Sequence, residues 1–184
     1  MSETQTACVD RMKKSVEALK EEFKTIRTGR ASTALFDKVR VDYYGDKSPL
    51  SQVATISIPE ARLVVIQPWD KNLIKEIEKA IVTSDLGLNP SNDGKVIRIQ
   101  IPPLTADRRK ELCKQAKNIA ETSRVAIRNI RRDGNEDLKK LQKGGELTED
   151  QLKTESDELQ KSTDSFIAEI NKIYDEKEKE IMEG

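Results

Sequence analysis

Three segments of this chain place apolar residues alternately three and four positions apart, the spacing of helices that pack side by side in a bundle. The first runs from Glu3 to Arg27, the second from about Thr105 to Lys143, and the third follows Thr148. Helices of this length with a single apolar stripe are unstable alone in water. The spacing therefore predicts a long three-helix bundle with a narrow apolar core.

The apolar stripe of each segment can be followed along the chain. In the first helix it consists of Val9, Met12, Val16, Leu19, Phe23 and Ile26. In the second it consists of Leu112, Ala116, Ile119, Ser123, Ala126, Ile130, Leu138 and Leu141, and it weakens at Gly134. In the third, which Thr148 is expected to cap, it consists of Leu152, Leu159, Phe166, Ile170 and Ile173.

The stretch between the first two helices has the two-residue period of β-strands. Strands are predicted at Val39–Tyr44, Val53–Ile58, Arg62–Gln67 and Val96–Ile101, a helix capped by Asp70 at Asp70–Ser84, a loop at Asn89-Pro90 and turns at Gly45-Asp46 and Asp93-Gly94. The expected fold class is therefore α+β. A three-helix bundle of residues 1–29 and 106–184 carries a small β/α/β domain, residues 30–105, inserted between its first and second helices.

Both connections to the inserted domain must lie at the same end of the bundle, because the first helix ends where the second begins. Two adjacent linkers of this kind are expected to act as a hinge. Gly29 is placed to end the first helix, and the prolines end the last strand and fix its exit. The predicted hinge residues are Thr28, Gly29, Arg30, Ala31, Ser32, Pro102, Pro103, Leu104 and Thr105.

Charge is segregated along a chain whose net charge is zero. Residues 107–132 contain nine Lys and Arg against three Asp and Glu, whereas residues 146–184 contain five Lys against thirteen Asp and Glu. The first stretch thus has a net charge of +6 and the second of −8. Such segregation indicates oriented binding to a charged partner.

The densest basic stretch is Arg124–Arg132, whose sequence is RVAIRNIRR. On a helix its apolar members, Val125, Ala126, Ile127 and Ile130, are expected on one side, and its arginines, Arg124, Arg128, Arg131 and Arg132, on the other. A solvated polar helix face is the alternative, but only Glu121 and Asp133 bracket these arginines. Because guanidinium groups match phosphate oxygens in pairs, we favour an anion-binding face. Arg109 and Arg30 belong to a second basic cluster near the hinge.

Motifs for catalysis are scarce. The chain has no histidine, no phosphate-binding glycine loop, no Gly-x-Ser-x-Gly and no Cys-x-x-Cys. Acidic pairs such as Glu149-Asp150 lie on a charged helix face, where solvated carboxylates are the ordinary interpretation. We therefore expect no enzymatic activity, no cofactor and no metal site.

The sequence also predicts a cytoplasmic monomer with no membrane segment. The N-terminus is polar, without the apolar core of a signal peptide, and no apolar run could span a bilayer. In antiparallel helices Cys8 and Cys113 would be offset by ~20 Å along the bundle, too far apart for a disulfide. Two free thiols are expected.

Four motifs, in order, resemble those of bacterial ribosome recycling factors. They are IRTGRAS at Ile26–Ser32, EKAIVTSDLGLNP at Glu78–Pro90, PPLTADRRKEL at Pro102–Leu112 and RVAIRNIRRDGN at Arg124–Asn135. The resemblance covers essentially the whole chain. It implies an L-shaped molecule, similar in outline to transfer RNA, in which a three-helix bundle and a β/α/β domain meet at a flexible hinge.

The resemblance also implies a function and partners. Members of this family bind the 70S ribosome after termination and, with elongation factor G and GTP, separate its subunits and release mRNA and deacylated tRNA. The bundle would lie against large-subunit rRNA, with Arg128, Arg131 and Arg132 in the contact, and the partner would hydrolyse GTP. Arg124 is expected to contribute least. Two alternatives remain open: an adapter that binds another protein through its acidic last helix, and an RNA chaperone.

Overall fold

In a computed structural model, which describes residues 2–183, the fold is α+β, as predicted. Residues 2–27 together with 106–183 form one compact unit, the helical unit, and residues 28–105 form a second, the small unit. Within the described residues no helix is both long and apolar enough to cross a bilayer.

The helical unit consists of α1 (Glu3–Lys24), α3 (Ala106–Lys143) and α4 (Glu149–Glu183). Five of the six residues predicted for the stripe of α1 are buried, whereas Val9 is only partly buried and its neighbour Cys8 takes the core position. The helix ends at Lys24 rather than Arg27, so Gly29, with φ of +77°, is not its terminating residue. Ile26 is nonetheless buried.

The stripe of α3 differs in register from the prediction. Ala120 and Ile127 are fully buried instead of Ile119 and Ala126, which are partly buried. A strict seven-residue repeat drifts around a straight helix, so over 38 residues the buried position must move. The residues of α3 that are buried in the core are Leu112, Ala116, Ala120, Ser123, Ile127, Ile130, Gly134 and Leu138.

The sequence predicts that the stripe weakens at Gly134, but Gly134 is buried and belongs to the stripe. A Cβ atom added there would lie 2.6 Å from Cys8 Sγ of α1 and 2.8 Å from Leu159 Cδ2 of α4. Both distances are shorter than van der Waals contact, so the three helices meet at this level only because residue 134 has no side chain. Burial here raises the pKa of the Cys8 thiol. Cys8 and Cys113 are both free thiols, as predicted.

The stripe of α4 is sparser than predicted. Leu159 and Ile170 are buried, but Leu152, Phe166 and Ile173 are only partly buried, and the remaining core positions are Thr163 and Ile181. The buried Thr163 hydroxyl has a hydrogen-bond partner within the same helix, because it donates to the Leu159 carbonyl at 2.8 Å.

A reciprocal cap begins α4, as expected from Thr148. The Gln151 amide donates to Thr148 Oγ1 at 3.1 Å, and the Thr148 amide donates to Gln151 Oε1 at 2.9 Å. Two otherwise unpaired backbone donors at the helix start are thereby satisfied.

In the small unit, a hairpin of β1 (Arg40–Tyr43) and β2 (Asp46–Pro49) precedes a four-stranded antiparallel sheet. The hairpin turn is Tyr44-Gly45, one residue earlier than predicted, and both residues have positive φ, 49° and 89°. The sheet has the order β3-β4-β6-β5. Its strands are β3 (Ala54–Glu60), β4 (Leu63–Pro68), β5 (Pro90–Asn92) and β6 (Ile97–Gln100).

Two predictions for the small unit need correction. The Asn89-Pro90 dipeptide predicts a loop, but Pro90 begins β5, which is an edge strand, where proline is tolerated. The helix α2 spans only Ile74–Thr83, after a 3₁₀ turn at Lys71–Leu73 that Asp70 caps by accepting from the Asn72 amide at 3.0 Å. One apolar core joins the sheet, α2 and the hairpin. Its fully buried side chains include Val41, Leu50, Val64, Ile66, Ile77, Ile81, Ile97 and Ile99.

Candidate nucleic-acid interface

The arginine stretch Arg124–Arg132 lies in the middle of α3. Ile127 and Ile130, exposed by 0% and 5%, attach it to the core of the helical unit. Val125 was predicted on the same side but is 45% exposed, because two residues along a helix correspond to a rotation of ~200° away from Ile127. The core therefore holds the stretch in a fixed orientation, and its four arginines occupy different environments.

Arg124 is a contact between helices rather than a solvated side chain. Its Nε donates to Asn171 Oδ1 of α4 at 2.8 Å, and its Nη1 donates to Glu121 Oε2 at 2.9 Å. The side chain is only 17% exposed. The helical spacing predicts that Arg124 points outward, but the side chain lies between α3 and α4.

Arg128 is more accessible, but it has a partner. Its Nη1 lies 3.3 Å from Glu121 Oε1, and 41% of its side chain is exposed. Glu121 therefore accepts from two arginines, and these hydrogen bonds, that from Arg124 first, hold the pKa of its carboxyl below the usual value. The sequence showed Glu121 beside the stretch but not that one carboxylate would serve two guanidinium groups.

Arg131 has a hydrogen-bond partner on α4, whereas Arg132 is exposed. Arg131 donates from Nη1 to Gln160 Oε1 of α4 at 3.1 Å, and its buried Nε has no partner among the described residues. Arg132 is exposed and forms no hydrogen bond or ion pair with any residue in the range 2–183. The neighbouring Asp133 pairs instead with Arg11 of α1, at 3.3 Å. We call Arg128, Arg131 and Arg132, which keep guanidinium donors available, the arginine face.

Gln160 and Asn171 of α4 are functional residues that the sequence pattern did not indicate. Both accept from arginines of α3 and so orient the stretch. The available signal was the short loop at 144–148, because an antiparallel helix pair places residues equally distant from the loop opposite each other. By this rule Arg131 lies nearly opposite Gln160, and Arg124 lies within one helical turn of the level of Asn171.

The other predicted basic residues lie apart from this stretch in sequence. Arg109, near the start of α3, donates from Nη1 to the Met182 carbonyl near the end of α4. Its neighbour Arg108 pairs with Glu111 at 2.8 Å. Arg30 is an exposed residue of the small unit.

The small unit also has a concave surface. A cavity of 260 Å³ is lined by Asp42, Tyr44, Gly45, Asp70, Asn72, Leu73 and Glu76. Tyr44, 80% exposed, donates to Asp70 Oδ2 at 3.3 Å. Among residues 2–183 no group of three or more side chains is arranged to ligate a metal ion.

The chain is similar to known proteins over its whole length. The family model described as ribosome recycling factor matches residues 19–182. The ribosome-recycling factor of Treponema denticola is 67% identical over 184 residues, covering 100% of both chains. That of Geobacillus thermodenitrificans is 59% identical over 174 residues, covering 95% of this chain and 94% of the relative.

Solved structures give the same result. A solution structure of a ribosome recycling factor matches with a TM-score of 0.76 and 44% identity, covering 100% of both chains. The T. thermophilus ribosome recycling factor, in a structure with E. coli elongation factor G bound to the E. coli post-termination complex, matches with a TM-score of 0.64 and 49% identity over 97% of both chains. By sequence and by structure, the chain belongs to the ribosome recycling factor family.

Proposed function

We propose that this chain binds the 70S ribosome after termination and, with elongation factor G and GTP, separates the subunits and releases mRNA and deacylated tRNA. One observation carries the proposal: the end-to-end match to a ribosome recycling factor placed with elongation factor G on a post-termination complex. The chain acts as a monomer in the cytoplasm, where ribosomes are recycled. It supplies binding and force transmission, and elongation factor G hydrolyses the GTP.

The arginine face binds phosphates of large-subunit rRNA. Arg132 has all its donors available, and Arg128 and Arg131 each use one Nη1 internally. A guanidinium group has five donors, so Arg128 can still bind phosphate oxygens in pairs, and Arg131, whose Nε is buried, can do so through Nη1 and Nη2. Contacts of this kind recognise the backbone of structured RNA rather than its base sequence.

Arg124 and Arg109 support the face more than they extend it. Each joins α3 to α4, one through Asn171 and the other through the Met182 carbonyl. Arg30, exposed beside the connection to the helical unit, adds a further phosphate contact. The rigid helices transmit force along the unit that carries the face.

The hinge consists of the two connections that flank the predicted domain of residues 30–105, and these connections adjoin the boundaries of the small unit at residues 28 and 105. Two hydrogen bonds attach the two connections to the sheet. The Ala31 amide donates to the Ala61 carbonyl at 2.7 Å, and the Ile101 amide donates to the Arg62 carbonyl at 2.7 Å. The turn between β3 and β4 thus holds both connections at the edge of the small unit. Bending is confined to residues 28–30 and 102–105, and Ala31 and Ser32 move with the sheet.

Amide hydrogen exchange measured by NMR tests this hinge. The amides of Ala31 and Ile101 should exchange at least about tenfold more slowly than those of Gly29 and Arg30, which have no acceptor among residues 2–183. Equal protection of Gly29 and Ala31 would contradict a hinge limited to residues 28–30.

Subunit separation, followed by light scattering, tests the function itself. Post-termination ribosomes mixed with this chain, elongation factor G and GTP should lose scattering as 70S particles split. Omitting either protein, or replacing GTP with a non-hydrolysable analogue, should abolish the loss because the partner provides the work. Binding without splitting would favour an RNA chaperone, and absence of binding would favour an adapter for another protein.

A further inference from the structure

One carboxylate lies where a phosphate would be expected to bind. Glu121 presents one oxygen to each of two guanidinium groups, Oε2 to Arg124 at 2.9 Å and Oε1 to Arg128 at 3.3 Å. Two oxygens of one anion, each accepting from an arginine, is the arrangement that two non-bridging oxygens of a phosphate group would adopt. Glu121 thus occupies part of the anion-binding capacity of α3.

The two bonds differ in how easily they can be exchanged. Arg124 is 17% exposed and is also held by Asn171, so an incoming phosphate cannot readily take it. Arg128 and Glu121 are 41% and 54% exposed, and they are seven residues apart, ~10 Å along the helix axis. Both long side chains must extend toward each other to meet, which is entropically costly and makes an exposed pair weak. A phosphate can therefore displace Glu121 from Arg128.

Displacement leaves a problem of charge. Once Arg128 turns to a phosphate, the Glu121 carboxylate remains fixed on Arg124 beside the incoming RNA. Two negative groups at this distance repel, and the repulsion is strongest at low salt. The alternative is that Glu121 aids binding by holding Arg128 in a productive orientation. Removing the Glu121 charge would then weaken RNA binding instead of strengthening it.

We propose that Glu121 is an affinity-determining residue that competes with RNA phosphate for Arg128 and weakens the grip of the arginine face. This inference rests on the proposed function, because it concerns the same contact with rRNA. The exposed carboxylate keeps the face partly neutralised in the free protein, so a tight complex requires a surface that offers several phosphates together.

The test compares the binding of Glu121→Gln and Glu17→Gln to 70S ribosomes at salt concentrations from about 50 to about 200 mM. Over this range the affinity of proteins that contact several phosphates falls by roughly a thousandfold or more. Glutamine at 121 keeps a carbonyl acceptor for the arginines and loses only the charge. Glu17, which pairs with Lys20 on α1 at 3.3 Å, provides a control with the same charge change on another helix. Wild type and Arg132→Ala are measured alongside.

Glu121→Gln should bind 70S ribosomes about three- to tenfold more tightly than wild type at 0.1 M salt, and the slope of log affinity against log salt should become steeper by up to about one. The affinity of Glu17→Gln should stay within about twofold of wild type. Unchanged or weaker binding by Glu121→Gln would overturn the competition, and weaker binding would show that Glu121 orients Arg128. If instead wild type binds without salt dependence and Arg132→Ala binds equally well, it is the proposed arginine contact itself that fails.

Discussion

Replacing Arg128, Arg131 and Arg132 together with alanine should weaken ribosome binding about a thousandfold at 0.1 M salt, since each charge-assisted contact contributes roughly tenfold. The slope of log affinity against log salt should fall by about three, because three phosphates no longer release counterions on binding. Sedimentation of the protein with 70S ribosomes at increasing salt measures both quantities. The helical unit should remain folded, because the replaced side chains lie on its surface or half-buried.

The matched control removes three positive charges elsewhere. Lys153, Lys161 and Lys172 are exposed residues of α4, so their joint replacement by alanine changes the net charge equally without touching the arginine face. Affinity should then fall by no more than about threefold, through the long-range field alone. Similar losses in the two triple variants would mean that total charge, and not the arginine face, directs binding.

Gly134→Val should destabilise the helical unit by about 3 kcal/mol, because a side chain must enter a position where even a Cβ overlaps two neighbours. Those neighbours are Cys8 Sγ at 2.6 Å and Leu159 Cδ2 at 2.8 Å, on two different helices. Helix propensity alone predicts the opposite sign, since glycine in a helix interior costs up to ~1 kcal/mol relative to other residues. Urea denaturation followed by circular dichroism measures the change.

Two further variants identify the cause. At Gly144, near the end of α3, an added Cβ would approach only backbone oxygens, the nearest at 3.4 Å, so Gly144→Val should cost about 1 kcal/mol or less. Cys8→Ala removes the nearer of the two atoms that crowd residue 134. The double variant Cys8→Ala/Gly134→Ala should lose about 1 kcal/mol less in free energy of unfolding than the sum of the losses in the two single variants. Strict additivity would show that the overlap is absorbed elsewhere.

Much of the fold could be predicted from spacing alone. Met12, Val16, Leu19 and Phe23 are buried as the three-and-four spacing indicated, because side chains separated by whole turns must share a face of α1. The α+β division followed from a change of period between the first two helices. The errors in α3, where Ile127 and not Ala126 is buried, came from extending one register over a helix too long to keep it.

Other features depend on chain segments that are distant in sequence. Gly134 appeared to interrupt α3 because its role is defined by Cys8 and Leu159, more than 20 residues away on either side. Strand β5 was missed because Pro90 argues against a strand unless the strand lies at an edge, and the edge is known only once the sheet is assembled.

The sequence by itself determined that four arginines would lie on one helix, that only Glu121 and Asp133 would lie beside them, and to which family the chain is similar. Only the tertiary structure decided which of these arginines have partners on α4 and which is exposed. Asn171 of α4 accepts from Arg124 and Gln160 accepts from Arg131, whereas Arg132 is exposed. The reason is physical. Periodicity states which side of a helix a residue occupies, but a guanidinium group is bound or available according to the atoms that a neighbouring helix places within hydrogen-bonding distance.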